Sequence, residues 1–188
     1  MVKIARIQAD PTCCHWIVPD EKMSPDDLNF DGTSRLLDWK PPEFHVHNPK
    51  KARTDFYTGL TGAISMTSEM RFHPILMAYF EKAGELLPIK LETGEDLFIL
   101  NVTSIADALD LEQAVMRKNP STGVPVAIQQ YAFNVERLPN SSIFKIPETK
   151  KVNILAYSGR AKSPVDEFLS VFLELKIAGL KVEEIWCA

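Results

Sequence analysis

Prolines are concentrated near the start of this 188-residue chain, where six of the thirteen lie before residue 60. Proline lacks a backbone N–H and fixes φ, so a segment this rich in it forms neither a long helix nor a central strand of a sheet. Turn residues accompany the prolines in Ser24-Pro25-Asp26-Asp27 and Asn29-Phe30-Asp31-Gly32. We therefore predict a loop-rich N-terminal region over residues 1–58, with short strands near Val2–Ile7 and Cys14–Val18, packed on a main body over residues 59–188.

Strands are predicted in the main body where runs of β-branched, aromatic and other apolar residues are bounded by turn residues. The clearest case is a hairpin, in which Leu86–Leu91 and Leu97–Val102 flank the turn Thr93-Gly94-Glu95. The other predicted strands are Ala63–Ser65, Val126–Val135, Ser142–Ile146, Val152–Ala156 and Val182–Trp186.

Two main helices are predicted, together with a short one over Ile105–Leu111. The first runs from near His73 to a stop at Gly84, because Pro74 then falls in its first turn. The second begins at Ser163-Pro164-Val165-Asp166, which supplies a capping hydroxyl, a proline and a carboxylate at the positive end of the helix dipole. It continues with an apolar stripe and is expected to end at Gly179; the stripe is Val165, Phe168, Leu169, Phe172 and Leu175.

Strands and helices that do not alternate as βαβ units indicate an α+β fold. We expect an antiparallel or mixed sheet covered by the two main helices, with the irregular proline-rich region at the N-terminus. The N-terminal ten residues lack the apolar stretch of a signal peptide, so a cytoplasmic location is expected. No segment approaches the roughly 18 apolar residues of a membrane span, so no membrane partner is expected.

Acidic residues are concentrated in the middle of the chain. Residues 61–115 carry three basic and nine acidic side chains, whereas the whole chain has a net charge of −4. This balance argues against a general nucleic-acid binder, which needs a concentrated basic surface. The acidic middle suits either a solvated face or a docking surface for a basic protein; the candidate contact residues are Glu92, Glu95, Asp96, Asp107, Asp110 and Glu112.

Candidate sites of chemistry are sparse. Glu43, His45 and His47 would project from one face of an extended segment, where they could bind zinc or another transition metal. Cys14 beside His15 is not a nucleophile and base pair, since neighbouring side chains of a strand point to opposite faces, and a buried inert thiol is expected. The segment Ser158-Gly159-Arg160 suits either an anion site or a simple turn. No P-loop, GxGxxG or GxSxG motif occurs, so no catalytic residue and no cofactor is predicted.

The stretch from Leu60 to Trp186, about two-thirds of the chain, resembles a family of bacterial immunity proteins encoded beside polymorphic toxins, including those of myxobacteria. The segments that carry the resemblance are Gly62–Ser65, Leu86–Ile89, Leu97–Val102, Ala106–Asp110, Ser142–Ile146, Ala178–Leu180 and Ile185–Trp186. The resemblance implies a non-enzymatic protein that binds a cognate toxin or effector protein and blocks it. It supplies no catalytic residues and leaves the activity of the toxin open.

Three functions follow in order of preference. The first is an immunity protein acting by stoichiometric occlusion of a toxin, for which the acidic residues would suit a basic partner. The second is a metal-dependent enzyme using Glu43, His45 and His47. The third is a non-enzymatic adaptor subunit. The sequence does not give the oligomeric state or the strand order.

Overall fold

A computed structural model of the protein describes residues 1–20, 28–49 and 54–188. The turn predicted at Ser24-Pro25-Asp26-Asp27 lies outside these residues. The twelve strands of the described part are β1 (Lys3–Ala9), β2 (His15–Pro19), β3 (Glu43–Asn48), β4 (Phe56–Thr58), β5 (Ala63–Thr67), β6 (Gly84–Leu91), β7 (Asp96–Val102), β8 (Val115–Lys118), β9 (Pro125–Gln130), β10 (Ile143–Phe144), β11 (Ile154–Ser158) and β12 (Leu180–Cys187). Its α-helices are α1 (Ser68–Arg71), α2 (Met77–Ala83) and α3 (Phe168–Leu175), and single 3₁₀ turns occur at Val135–Arg137, Pro147–Thr149 and Pro164–Asp166.

Six strands close into a barrel in the order β2-β3-β6-β7-β5-β4. Most neighbours are antiparallel, but β2 pairs with β4 and β3 pairs with β6 in parallel. Alternate residues of a strand point to opposite faces. In β6, Leu87 and Ile89 therefore lie in one buried cluster with Phe44 and Ile99, whereas Leu86 packs in a second cluster on the other side of the strand.

The second large sheet has the order β10-β11-β1-β12, so the first strand of the chain lies between two strands from residues 154–187. Both pairings of β1 are antiparallel, and the pairing with β12 contains a bulge between Ile4 and Ala5. Ile4 packs in a cluster with Phe144 and Leu155, and Ile7 packs in the cluster that faces the barrel. Strands from both sides of residue 58 thus pair in both large sheets.

The predicted fold class is wrong. Strands contain 40% of the residues and helices 16%, and a closed barrel replaces the expected sheet covered by two main helices. The helices are too short to cover a sheet, because the stretch from Ser68 to Ala83 is interrupted at Pro74 and divided into segments of four and seven residues. Among the described residues, no helix is long and apolar enough to cross a membrane.

Several local predictions are confirmed. The hairpin forms as β6 and β7, which pair antiparallel from Gly84 to Lys90. The predicted strands near Val2–Ile7 and Cys14–Val18 form as β1 and β2, and those at Ala63–Ser65, Val152–Ala156 and Val182–Trp186 form as β5, β11 and β12, each with shifted ends. The helix stop at Gly84 is also correct.

Other local predictions are wrong. No helix forms over Ile105–Leu111, because Ile105 makes an isolated bridge to Lys145 and Leu109 makes one to Phe133. The helix predicted from Ser163 begins only at Phe168, after a 3₁₀ turn. Its left-handed cap is Lys176, with φ 54°, rather than Gly179.

Buried polar groups join the two large sheets and their loops. Lys145 is fully buried, and its Nζ donates a hydrogen bond of 2.6 Å to the carbonyl oxygen of Phe30. Gly62, with φ +77°, packs against the same carbonyl group, which a Cβ at residue 62 would meet at 2.3 Å. Residues 28–34, where the predicted turn at Asn29–Gly32 lies, are therefore held to both sheets.

Candidate protein-binding surface

The six predicted acidic contact residues form two groups rather than one surface. Glu92, Glu95 and Asp96 lie at the turn between β6 and β7, which we call the hairpin-end group. Asp107, Asp110 and Glu112 lie beyond the opposite end of β7, which we call the distal group. β7, which is seven residues or about 20 Å long at roughly 3.3 Å per residue, lies between the two groups in the chain. The two groups are therefore separate candidate surfaces.

Some of these carboxylates also hold the fold together. In the hairpin-end group, Glu92 Oε1 accepts a hydrogen bond of 3.4 Å from the Val46 backbone amide. In the distal group, Asp110 Oδ1 accepts from the backbone amides of Glu112 and Gln113 at 3.0 and 3.3 Å, which fixes a turn. Asp107 and Glu112 are exposed, so they are the members of the distal group that present charge to solvent.

The candidate metal ligands lie on β3, as the extended-segment prediction required. The His47 ring, however, packs edge to face against Trp16 with a centroid distance of 5.7 Å. In residues 1–20, 28–49 and 54–188, no three histidine, cysteine or acidic side chains are grouped so that they could hold a metal ion. The hypothesis of a metal site at Glu43, His45 and His47 therefore gains no support from the geometry.

Cys14 is a buried thiol, as expected. Its Sγ donates to the Gly179 carbonyl oxygen at 3.1 Å, and burial raises its pKa from 9.0 to about 12. A protonated, inaccessible thiol is a poor nucleophile. Cys187 is exposed and Cys13 is half-buried.

The amides of the turn after β11 bind an anion that belongs to the protein itself. The buried carboxylate of Glu167 accepts hydrogen bonds from the backbone amides of Gly159, Arg160 and Ala161 at 2.5 to 2.7 Å. The alternative of an external anion at Ser158-Gly159-Arg160 is therefore replaced by an internal cap on this loop.

A groove that the sequence analysis missed runs beside the hairpin formed by β8 and β9. It has a volume of about 840 Å³. Four consecutive residues of β9, from Pro125 to Ile128, line it, and the opposite wall comes from Arg6 of β1 and from residues 148–150 and 153. Because consecutive strand residues face opposite sides, lining by all four means that the groove follows the edge of β9.

The lining of this groove is largely apolar and open to solvent. Leu111, Val124 and Val126 are each more than half exposed, whereas Met116, Ile128 and Tyr131 are partly buried against the core cluster beneath. Large apolar side chains that are exposed together on one surface mark sites of protein or ligand binding. Leu111 lies between Asp110 and Glu112 in the chain, so the distal acidic group borders the groove.

Two buried polar atoms of the groove residues have no hydrogen-bond partner. They are Arg6 Nε, a donor, and Glu148 Oε2, an acceptor. The terminal nitrogen of Arg6 is already paired with Glu183 at 2.7 Å. Both residues line the groove, so one of its walls carries charged side chains while the wall from β9 is largely apolar.

The signal for this groove is present in the sequence but weak. Val126–Val135 was predicted as a strand, and the strand forms only over Pro125–Gln130. Its partner β8 reads Val115-Met116-Arg117-Lys118, in which the two charges obscure the strand pattern. The opposite wall comes from distant parts of the chain, which periodicity does not bring together.

Comparison of the chain with protein-family models and with curated proteins gives no match.

Proposed function

We propose that this protein is an immunity protein that binds a cognate bacterial toxin and neutralises it by stoichiometric occlusion. The resemblance of Leu60–Trp186 to bacterial immunity proteins supports the proposal, and one structural observation carries it. That observation is the groove beside β9, where exposed apolar side chains lie opposite the charged side chains of Arg6, Glu148 and Lys150. Such a combination is typical of a surface that another polypeptide covers.

The distal acidic group gives the contact a preferred charge. Asp107 and Glu112 are exposed near the end of the groove at Leu111. Complementary charges raise the rate at which two proteins associate and disfavour wrong partners. A toxin with a basic surface would be drawn to this end of the groove, and its apolar residues would then displace water from the lining.

The test begins with the toxin domain encoded by the neighbouring gene. We expect co-expression with this protein to restore growth, and the two purified proteins to form a 1:1 complex. Titration should abolish the toxin's activity at one equivalent, because a blocking protein is consumed by each molecule that it blocks. Neutralisation of many toxin molecules by a trace of this protein would contradict occlusion, and so would a neighbouring product that is neither toxic nor bound.

Charge reversal then locates the contact. In one variant Asp107 and Glu112 become lysine; in the matched control Glu92 and Asp96, at the other end of β7, become lysine. We expect the first variant to lower the association rate constant about tenfold at low salt, and the difference to shrink as salt screens the charges. If neither variant changes the rate constant, the acidic residues are not part of the contact. A larger effect in the control would move the contact to the hairpin-end group.

A further inference from the structure

The hairpin of β8 and β9 leaves one strand edge open. β9 pairs with β8 along one side. In the described part of the chain, no strand pairs with its other side, and none of its backbone amides or carbonyls makes a hydrogen bond to another segment. An open edge presents a row of unpaired N–H and C=O groups on which another chain can pair. Pro125, at the start of β9, lacks an N–H, so the amide donors begin at Val126.

The groove follows this open edge. Pro125 to Ile128 span about 13 Å at roughly 3.3 Å per residue, which matches an extended segment of about four residues. The apolar residues Met116, Val126 and Ile128 would meet the side chains of such a segment.

Resting on the proposed function, we propose that this groove captures an extended apolar segment of the toxin, which adds to β9 as a third strand. The charges nearby make the occupant more specific. The charged residues of the wall are Arg6, Glu148 and Lys150, and Arg6 is paired with Glu183. Glu148 and Lys150 leave one charge of each sign, which suits a neutral main chain better than a phosphate. The distal acidic group beside Leu111 suits a basic residue at that end of the segment.

Recognition by strand addition has a signature that contact through side chains alone lacks. Main-chain hydrogen bonds supply the affinity, and every second amide of the added strand faces the edge that it joins. The complex should therefore slow amide exchange in Val126–Gln130 and in one short segment of the toxin. The affinity of the complex should also fall when every second amide of that toxin segment is blocked, and change little when the amides between them are blocked.

The experiment uses the full-length protein and the toxin domain from the neighbouring gene. Hydrogen exchange of the complex is measured first. The toxin segment that becomes protected is then made as a peptide, with N-methyl groups placed at successive amides in turn. We expect protection of Val126–Gln130, and loss of peptide binding when every second amide is methylated, with little change for the amides between them.

Substitutions give an independent measurement. Val126→Lys places a charge on the open edge, and Val165→Lys is the matched control, because the two valines are 53% and 62% exposed and Val165 lies beside α2, away from the groove. We expect Val126→Lys to raise the Kd of the toxin complex at least about tenfold and Val165→Lys to leave it unchanged.

The outcomes separate this inference from the proposed function. One outcome is a 1:1 inhibitory complex in which the amides of Val126–Gln130 exchange as fast as in the free protein and Val126→Lys binds normally. That outcome would overturn strand addition but leave the proposed immunity function standing. Protection of the groove by a second copy of this chain, seen as a dimer without toxin, would also overturn it. The absence of any complex would remove both proposals together.

Discussion

The buried ammonium group of Lys145 should make the protein more stable at mildly alkaline pH. Burial lowers the pKa of this lysine from 10.5 to about 8, and the nearby positive charge of Lys151 acts in the same direction, against the opposing effect of Asp31. Between these two pKa values the unfolded chain holds a proton that the folded protein has released. The free energy of unfolding therefore rises with pH through this window, whereas well below pH 8 Lys145 is protonated in both states and adds no pH dependence.

The size of the rise follows from the two pKa values. With a folded pKa of about 8 and an unfolded pKa of 10.5, the free energy of unfolding gains about 1.3 kcal/mol between pH 7 and pH 9. Cys14 acts in the opposite sense, because its thiol stays protonated in the folded protein up to a pKa of about 12, whereas the unfolded thiol ionises with a pKa of 9.0. This removes about 0.4 kcal/mol by pH 9, so the net gain is about 1 kcal/mol.

Urea unfolding followed by tryptophan fluorescence at pH 7, 8 and 9 measures this difference. Lys145→Met keeps an unbranched side chain of similar length and removes the titrating group, so its free energy of unfolding should not rise over this range and should fall slightly because of Cys14. Lys162→Met, at an exposed position, should keep the wild-type rise. The reasoning is refuted if the wild-type protein shows no gain between pH 7 and pH 9, or if Lys145→Met shows the same gain.

Three further predictions concern single positions of the fold. Gly62→Ala should lower the free energy of unfolding at least about 1 kcal/mol more than Gly94→Ala, since both positions have positive φ but only the first Cβ would meet a backbone carbonyl; equal losses in urea unfolding would mean that the loop shifts freely. Glu167→Gln should cost about 2 kcal/mol and lower Tm by about 6 °C in a thermal scan, because an amide group then faces an amide donor; an unchanged Tm would show that this cap is dispensable. At pH 8, a thiol reagent should label Cys187 at once and Cys14 only on unfolding; rapid labelling of Cys14 in the folded protein would contradict its burial.

Local features of this fold could be predicted from the sequence, and long-range ones could not. The hairpin of β6 and β7 was found because its turn and both of its strands lie within nineteen consecutive residues, Gly84 to Val102. The barrel was missed because it closes through two parallel pairings, β2 with β4 and β3 with β6, which join distant segments. Strand periodicity gives the face that a strand buries and does not give its partner.

The failed helix at Ile105–Leu111 has a related cause. Weak capping residues favour a helix there, but the backbone pairs at Ile105 and Leu109 with Lys145 and Phe133, and those partners are set by the tertiary fold. The candidate site follows the same rule. The acidic residues were identified individually, but their division between the two ends of β7 and the groove beside β9 depend on which segments become neighbours in space.

The position of β1 in its sheet determines when, during translation, the protein can complete its fold. This strand takes both of its neighbours from residues 154–187, and backbone hydrogen bonds join Val2 and Ala188 in both directions at 2.8 and 2.9 Å. Contacts between such remote parts of a chain form slowly, since the loop between them must close first. Until the ribosome has made residues 154–187, β1 lacks both of the strands with which it pairs. If the protein neutralises a toxin, it can do so only after β12 has been translated, because a shorter nascent chain cannot complete this sheet.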